Sequence, residues 1–151
     1  MRPIEALTYD VTIHVRNACL CLAAQSAARA LARRFDEALR PLDLTNGQFS
    51  LMMSLNRPEP PPMKPVADLL AMDRTTLTAA LKPLERRGLV QIRIDPEDRR
   101  GRRLALTAKG KKLLAKALPI WTGQHAEIEK RLSAPDDLRR ELAILSRVDV
   151  S

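Results

Sequence analysis

The chain has 151 residues, 45% of them hydrophobic, and carries 26 Lys and Arg against 18 Asp and Glu, a formal net charge of +8. This is enough apolar content for one core and excludes disorder as the main state; no apolar run approaches the roughly 20 residues of a membrane span, and Met1-Arg2-Pro3-Ile4-Glu5 lacks the charged-then-apolar order of a secretion signal, so a cytoplasmic protein is expected. Cys19 and Cys21 are the only cysteines, which excludes a disulfide framework.

From about Val11 to Leu39 the sequence is rich in Ala, Leu and Arg without Gly or Pro, which predicts one long helix stopped by Pro41. Leu20, Leu31, Phe35 and Leu39, among many alanines, give it a broad apolar side suited to a bundle or dimer seam. Thr45-Asn46-Gly47-Gln48 has the spacing of a capping box, predicting a largely buried helix from Gln48 to about Asn56. Arg57-Pro58-Glu59-Pro60-Pro61-Pro62 then reads as a stiff surface connection, because successive prolines remove donors and force extended backbone.

Pro65 suits a first helical position, with Val66, Leu69 and Leu70 as the apolar face of a two-turn helix ending near Met72. Asp73 can cap the next helix, Arg74 to Arg87, which Gly88 ends in a left-handed conformation. A 100° step per residue puts Leu77, Ala80, Leu81 and Leu84 on one face and Thr75, Thr78, Ala79, Lys82 and Arg86 on the other. Pro83 inside this helix removes one backbone bond. Val90, Ile92 and Ile94 alternate with polar residues, Asp95 to Gly101 turns, and Leu104 and Leu106 alternate again, which is a hairpin with a charged tip. Thr107 can cap a helix from about Ala108 to Leu132 containing Pro119. Pro135 can start a last helix through Val148, striped by Leu138, Leu142, Leu145 and Val148.

Charge is concentrated on these middle elements. The 49 residues from Lys64 to Lys112 hold 13 of the Lys and Arg but 6 of the Asp and Glu, a net of +7 that leaves +1 for all the rest. Such a patch on a helix and a hairpin is the footprint of a polyanion-binding surface. Taken alone, an arginine-rich hairpin is a solvated loop, and a Thr- and Lys-bearing face is the outside of a core helix. Side by side in a helix-turn-helix they have a further use. The second helix can enter a major groove with its N-terminal residues on base edges, and the hairpin lies along the duplex where Arg favours a narrow minor groove. Thr75 and Thr78 can donate or accept, Ala79 can meet a thymine methyl, and Lys82 and Arg86 can reach bases or phosphates.

The order of elements, with Met72-Asp73-Arg74-Thr75-Thr76-Leu77-Thr78, Leu84-Glu85-Arg86-Arg87-Gly88-Leu89-Val90, Asp95-Pro96-Glu97-Asp98-Arg99-Arg100 and Leu106-Thr107-Ala108-Lys109-Gly110, resembles the MarR family of bacterial transcriptional regulators over nearly the whole chain. The resemblance implies a mainly α fold with a small β-hairpin, in a single domain spanning 1–151. Within it, a winged helix-turn-helix at about 45–107 is flanked by dimerisation helices at about 11–40 and 108–148. It implies a homodimer, a ligand-sensing region between the dimerisation and DNA-binding parts, and a palindromic double-stranded operator as partner. The DNA-binding residues expected are Arg74, Thr75, Thr76, Thr78, Ala79, Lys82 and Arg86 on the helix and Asp98, Arg99, Arg100, Arg102 and Arg103 in the wing, with Arg100 in the minor groove. Many members carry Arg where this chain has Ala79, so specificity would rest more on Thr75, Thr78, Lys82 and DNA shape.

Leu20-Cys21-Leu22-Ala23, with Ser26-Ala27 and Arg29-Ala30, resembles the first helix of the organic-hydroperoxide-sensing branch of that family, with Cys21 as its reactive cysteine. Two readings stand. In one, Cys21 senses oxidant and Cys19 resolves the product only across a dimer, since on one helix the two point about 200° apart. In the other, both are small packing residues. That branch's tyrosines are replaced here by Gln25, Asn46 and Phe49. His14 and His125 lack metal-like spacing to Cys or carboxylate, so no metal is expected, and Trp121 reads as interface packing or the wall of an effector pocket.

The function expected is a homodimeric repressor released by a small-molecule effector or an oxidant. A ligand-binding or buffering protein on the same scaffold, with weak DNA affinity, is a second reading, and a general nucleoid or RNA-associated protein a third. No nucleophile, acid-base pair or cofactor loop points to an enzyme, and neither a cofactor nor a membrane partner is expected.

Overall fold

A computed structural model describes residues 7–147; the Met1–Glu5 start and Val148 of the expected last stripe lie outside the described residues. Helices α1 (Tyr9–Ala18) and α2 (Leu20–Leu39) replace the single helix expected from Val11 to Leu39. The break is at Cys19, whose ψ of 109° leaves the helical region. Its N–H still donates to the Val15 carbonyl at 2.9 Å, while its sulfur accepts the Leu22 N–H at 3.4 Å. One residue therefore ends α1 and caps α2, with a weak sulfur acceptor where Ser, Thr or Asp would be usual. Pro41 stops α2 as expected: Arg40–Leu42 tighten into a 3-10 turn and Asp43 follows at a left-handed φ of 54°.

The capping box forms. Thr45 Oγ1 accepts the Gln48 N–H and Gln48 Oε1 accepts the Thr45 N–H, both at 3.1 Å, so α3 (Asn46–Ser54) begins two residues before Gln48. Phe49, Leu51, Met52 and Leu55 are buried and Met53 is half-buried. The proline stretch that follows is more than a surface connection. Pro61 is buried, its carbonyl accepts the Leu104 N–H at 2.9 Å, and Pro62 bridges Arg103 in antiparallel fashion. A proline has an acceptor but no donor, so this stretch can close one edge of the hairpin.

Helix α4 (Met63–Leu69) starts earlier than expected, making Pro65 its third residue, still within the turn whose N–H groups have no partner in the helix. The inward stripe is Met63, Val66, Ala67 and Leu70, spaced i, i+3, i+4, i+7, and Leu69 is 63% exposed, contrary to its expected place on the apolar face. Helix α5 (Arg74–Arg86) is capped by Asp73 and turns out through Gly88 at φ 70°. Leu77, Leu81 and Leu84 are buried, as their spacing predicts.

Strands β1 (Val90–Ile94) and β2 (Arg102–Leu106) pair antiparallel, with Val90 opposite Leu106, Ile92 opposite Leu104 and Ile94 opposite Arg102. Ile94 is 61% exposed although it was expected to continue the inward alternation; at the tip end, the hairpin has run past the core. Helix α6 (Ala108–Glu129) is capped by Thr107, whose hydroxyl accepts the Gly110 N–H at 3.0 Å, and ends three residues short of Leu132. Helix α7 (Pro135–Leu145) starts at the expected proline. The core joins α2 through α6 with the hairpin, whereas α1 and α7 bury no residue within the single chain.

Candidate nucleic-acid interface

The turn from α4 to α5 is built by local bonds. Met72 N–H donates to the Ala67 carbonyl at 2.9 Å across Ala71, which adopts φ 52°, and Asp73 Oδ1 then accepts the Thr76 N–H at 2.7 Å. That bond, reinforced by the Thr76 hydroxyl and the Thr75 N–H, holds the Asp73 carboxyl below the ordinary carboxylate value. A carboxylate kept charged at the head of α5 also complements the positive end of its helix dipole. Thr76 thus serves the cap, while Thr75, Thr78, Ala79 and Lys82 lie along one exposed face with Arg74 at its head.

Thr78 has a more specific state than sequence alone allows. Its hydroxyl donates to the Arg74 carbonyl at 2.8 Å, which leaves lone pairs, not the hydrogen, for anything facing the helix.

The wing sorts its charged residues into two groups. Asp95 is buried at its base and accepts the Glu97 N–H at 3.0 Å and the Arg103 Nε at 3.1 Å; these, the backbone bond first, lower its pKa. Arg103 also donates to the Pro60 carbonyl at 3.2 Å, tying the strand, the turn and the proline stretch together. Arg102 donates to the Arg99 and Gly101 carbonyls, both at 3.1 Å, and Asp98 accepts the Arg100 N–H at 3.0 Å. These three residues from the expected contact set brace the wing's own frame. The side chains of Arg99 and Arg100 are exposed and have no hydrogen bond or ion pair among the described residues, and the same is true of Arg74, Lys82 and Arg86. A groove of about 300 Å³ runs between the two elements, with Arg74 and Thr78 on the helix side and Arg100 and Arg102 on the wing side.

The cysteines sit away from this surface. Cys19 is half-buried at the α1–α2 boundary, and Cys21 is exposed in the single chain, with the Gln25 amide donating to its sulfur at 3.3 Å. The two thiols are therefore not fixed in opposite directions on one helix, because the boundary falls at Cys19. Cys21 and Gln25 stand four residues apart on α2, the spacing that makes two side chains neighbours on a helix surface. Trp121 is half-buried, stacked on Phe49 at 6.1 Å and on His125 at 4.6 Å between ring centroids. His125 in turn lies 3.3 Å from the Glu129 carboxylate, and Arg139 of α7 pairs with that same carboxylate. Among the described residues no group of three or more His, Cys, Asp or Glu is placed to hold a metal ion, and no helix is long and apolar enough to cross a membrane.

Residues 44–101, from the last core residue before the capping box to the wing's tip, match the family described as MarR. The transcriptional regulator HosA of Escherichia coli O111:H- is 36% identical over 96 residues, covering 62% of this chain and 70% of that one. The organic hydroperoxide resistance transcriptional regulator of Bacillus subtilis (strain 168) is 30% identical over 101 residues, 67% of this chain and 69% of the relative. The crystal structure of the M. tuberculosis transcriptional regulator MosR in complex with DNA superposes with a TM-score of 0.79 at 38% identity, covering 85% of this chain and 94% of that one. A winged helix-turn-helix with an exposed, cation-lined recognition face and likeness to these regulators along most of its length make the chain a member of the MarR family of transcriptional regulators.

Proposed function

We propose that the protein is a homodimeric repressor, acting in the cytoplasm, that binds a palindromic operator through α5 and the wing and releases it when an effector or oxidant changes the separation of its two recognition helices. The groove shared by α5 and the wing carries this reading: two elements distant in sequence line one concave surface, with Arg74 on one side and Arg100 on the other, neither of them with a side-chain partner among the described residues. Thr75, Thr78, Ala79 and Lys82 would face base edges, Arg74 and Arg86 the phosphates, and Arg99 and Arg100 the minor groove. Arg102, Arg103 and Asp98 would hold the wing in the posture that delivers them. MosR, similar in fold and sequence, was crystallised with DNA.

The division into one winged helix-turn-helix at about 45–107 and two dimerisation arms fits the exposed apolar stripe of Leu138, Leu142 and Leu145 on α7 and the unburied α1. Apolar stripes of this kind mark association surfaces. The oxidant arm is supported by Cys19 and Cys21 at a helix boundary and by the likeness to a hydroperoxide-resistance regulator.

Selection of bound duplexes from a random pool tests the reading. A palindrome is expected, with half-sites about one helical turn apart, because two matched helices must enter successive major grooves on one face. A pool that shows no enrichment, or enriches without symmetry, would reject it.

A further inference from the structure

The far end of the recognition helix is held from outside by three side chains. Arg87, the residue that closes α5, donates from Nη1 to the Asp43 carbonyl at 2.6 Å, with Nη2 3.8 Å from the Asp43 carboxylate. Lys109, in the first turn of α6, donates to the Arg87 carbonyl at 2.8 Å, and the Thr107 hydroxyl donates to the Gly88 carbonyl at 2.6 Å. The last two acceptors are the C-cap carbonyl of α5 and that of the residue after it, at the helix end where carbonyls lack partners within the helix. The end of α5 is thereby tied both to the start of α6 and to the turn that ends α2, and α2 and α6 pack against each other.

The Asp43 end of this link is rigid. Its N–H donates to the Arg40 carbonyl at 2.9 Å, and it keeps φ 54°, a conformation that a residue with a side chain holds only where its surroundings impose it. The ion pair itself adds little, since the Asp43 carboxylate is almost fully exposed. The bond to the backbone carbonyl is what fixes geometry, because that oxygen cannot move without the turn. Arg86, one residue earlier, has no partner among the described residues and is free for phosphate; Arg87 is already engaged.

We propose that Arg87 is a positioning residue for DNA recognition, a strut that carries the placement of α2 to the recognition helix and so sets which half-site spacing the dimer accepts. The proposal rests on the DNA-binding reading above. It assigns to Arg87 a role in geometry, distinct from phosphate contact, and makes Asp43 its anchor through the main chain.

The test uses the full-length protein, the duplex it selects from a random pool, and two further duplexes with one base pair inserted or removed between the half-sites. Arg87→Met should lower the affinity ratio between the selected and altered duplexes by about fivefold or more, the scale of a coupling between sites. The slope of log affinity against log salt should stay unchanged. Arg87→Lys should recover part of the ratio, and Asp43→Gly, which keeps the carbonyl and suits φ 54°, should keep it. Should Arg87→Met fail to fold, Arg87→Gln carries the same expectation. An unchanged ratio overturns the proposal, as does a slope lower by about one unit, which would make Arg87 a phosphate contact. Failure of the parent to select any duplex is a separate result and rejects the DNA-binding reading itself.

Discussion

Gly110, in the first turn of α6, lies so close to the Leu89 carbonyl that a methyl group on its α-carbon would collide with that oxygen and press on Leu106. The same carbonyl accepts the Thr107 N–H at 3.1 Å, so α6 begins directly on the backbone that leads from the recognition helix into the wing. The absence of a side chain at Gly110 is what lets the two segments meet.

Gly110→Ala should therefore destabilise the protein by about 1–3 kcal/mol, the usual cost of overpacking, even though alanine favours a helix over glycine by about 1 kcal/mol. Urea unfolding measures it. Equal or greater stability would mean that α6 shifts away from Leu89 without cost.

The two groups of wing arginines should separate by salt dependence. Arg100→Ala should flatten the log-log salt slope of operator binding by about one unit, since each neutralised phosphate contributes about 0.9. Arg103→Ala should leave the slope alone and weaken binding by loosening the wing from Asp95 and Pro60. Amide exchange supplies the independent readout: the Leu104 N–H, bonded to the Pro61 carbonyl, should exchange faster in Arg103→Ala and not in Arg100→Ala. If both variants change the slope equally, Arg103 reaches phosphate and its wing bonds are dispensable.

Much of this architecture is legible in the sequence because its signals are local. The Thr45–Gln48 box, the Asp73 cap, the buried stripe Leu77–Leu81–Leu84 and the positive-φ Gly88 each depend on residues within one or two turns. What escapes is set by distant partners. Arg103 reads as one more tip cation until Asp95 and Pro60 are brought beside it, and Pro61 reads as linker until Leu104 needs an acceptor. Ile94 continues an apolar alternation past the point where there is core to cover. The break at Cys19 lacks the proline or glycine that usually announces one, and is made by a sulfur acting as cap.

Thr78 carries a prediction about base preference. With its hydrogen committed to the Arg74 carbonyl, the hydroxyl can offer a base only an acceptor, which suits the exocyclic amines of adenine or cytosine. Thr78→Val keeps the shape and removes the acceptor, so one position of the selected site should lose its preference for an amine-bearing base, at a cost of about 1 kcal/mol. Repeating the selection with the variant checks this; an unaltered preferred sequence would put the Thr78 hydroxyl outside the readout.

Asp95 gives the wing a defined response to acid. Its pKa is lowered in the folded state by the Glu97 N–H and by Arg103, so the folded state favours the ionised form. That contribution is complete above the unfolded carboxylate range and lost as pH falls through the lower folded value. Asp95→Asn should accordingly be less stable than the parent at neutral pH, and the difference should shrink below about pH 4. Thermal melting of the two proteins across that window tests the sign. A difference that grows toward low pH would contradict the assigned cause.

The two thiols give the sharpest test of oxidant release. An organic hydroperoxide would transfer oxygen to the Cys21 thiolate, leaving an alcohol and a sulfenic acid, which a second thiol can convert to a disulfide with loss of water. On one continuous helix Cys19 could supply that thiol only from the partner subunit; with the helix boundary at Cys19, the same chain is also open. A disulfide would pull the Cys21 sulfur toward Cys19 and away from the Gln25 amide, and would take Cys19 from the Leu22 N–H that starts α2. Oxidation should therefore disturb the start of α2 and lower operator affinity. Cumene hydroperoxide is expected to release the parent and to leave Cys21→Ser bound, while Cys19→Ser should accumulate sulfenic acid or more oxidised sulfur without forming the disulfide. Mass spectrometry reads the thiol state, and a non-reducing gel separates a disulfide within one chain from one between two. Equal release of the parent and Cys21→Ser, or an unmodified Cys21 in the released parent, would make Cys21 a packing residue and leave a non-covalent effector as the signal that separates the recognition helices.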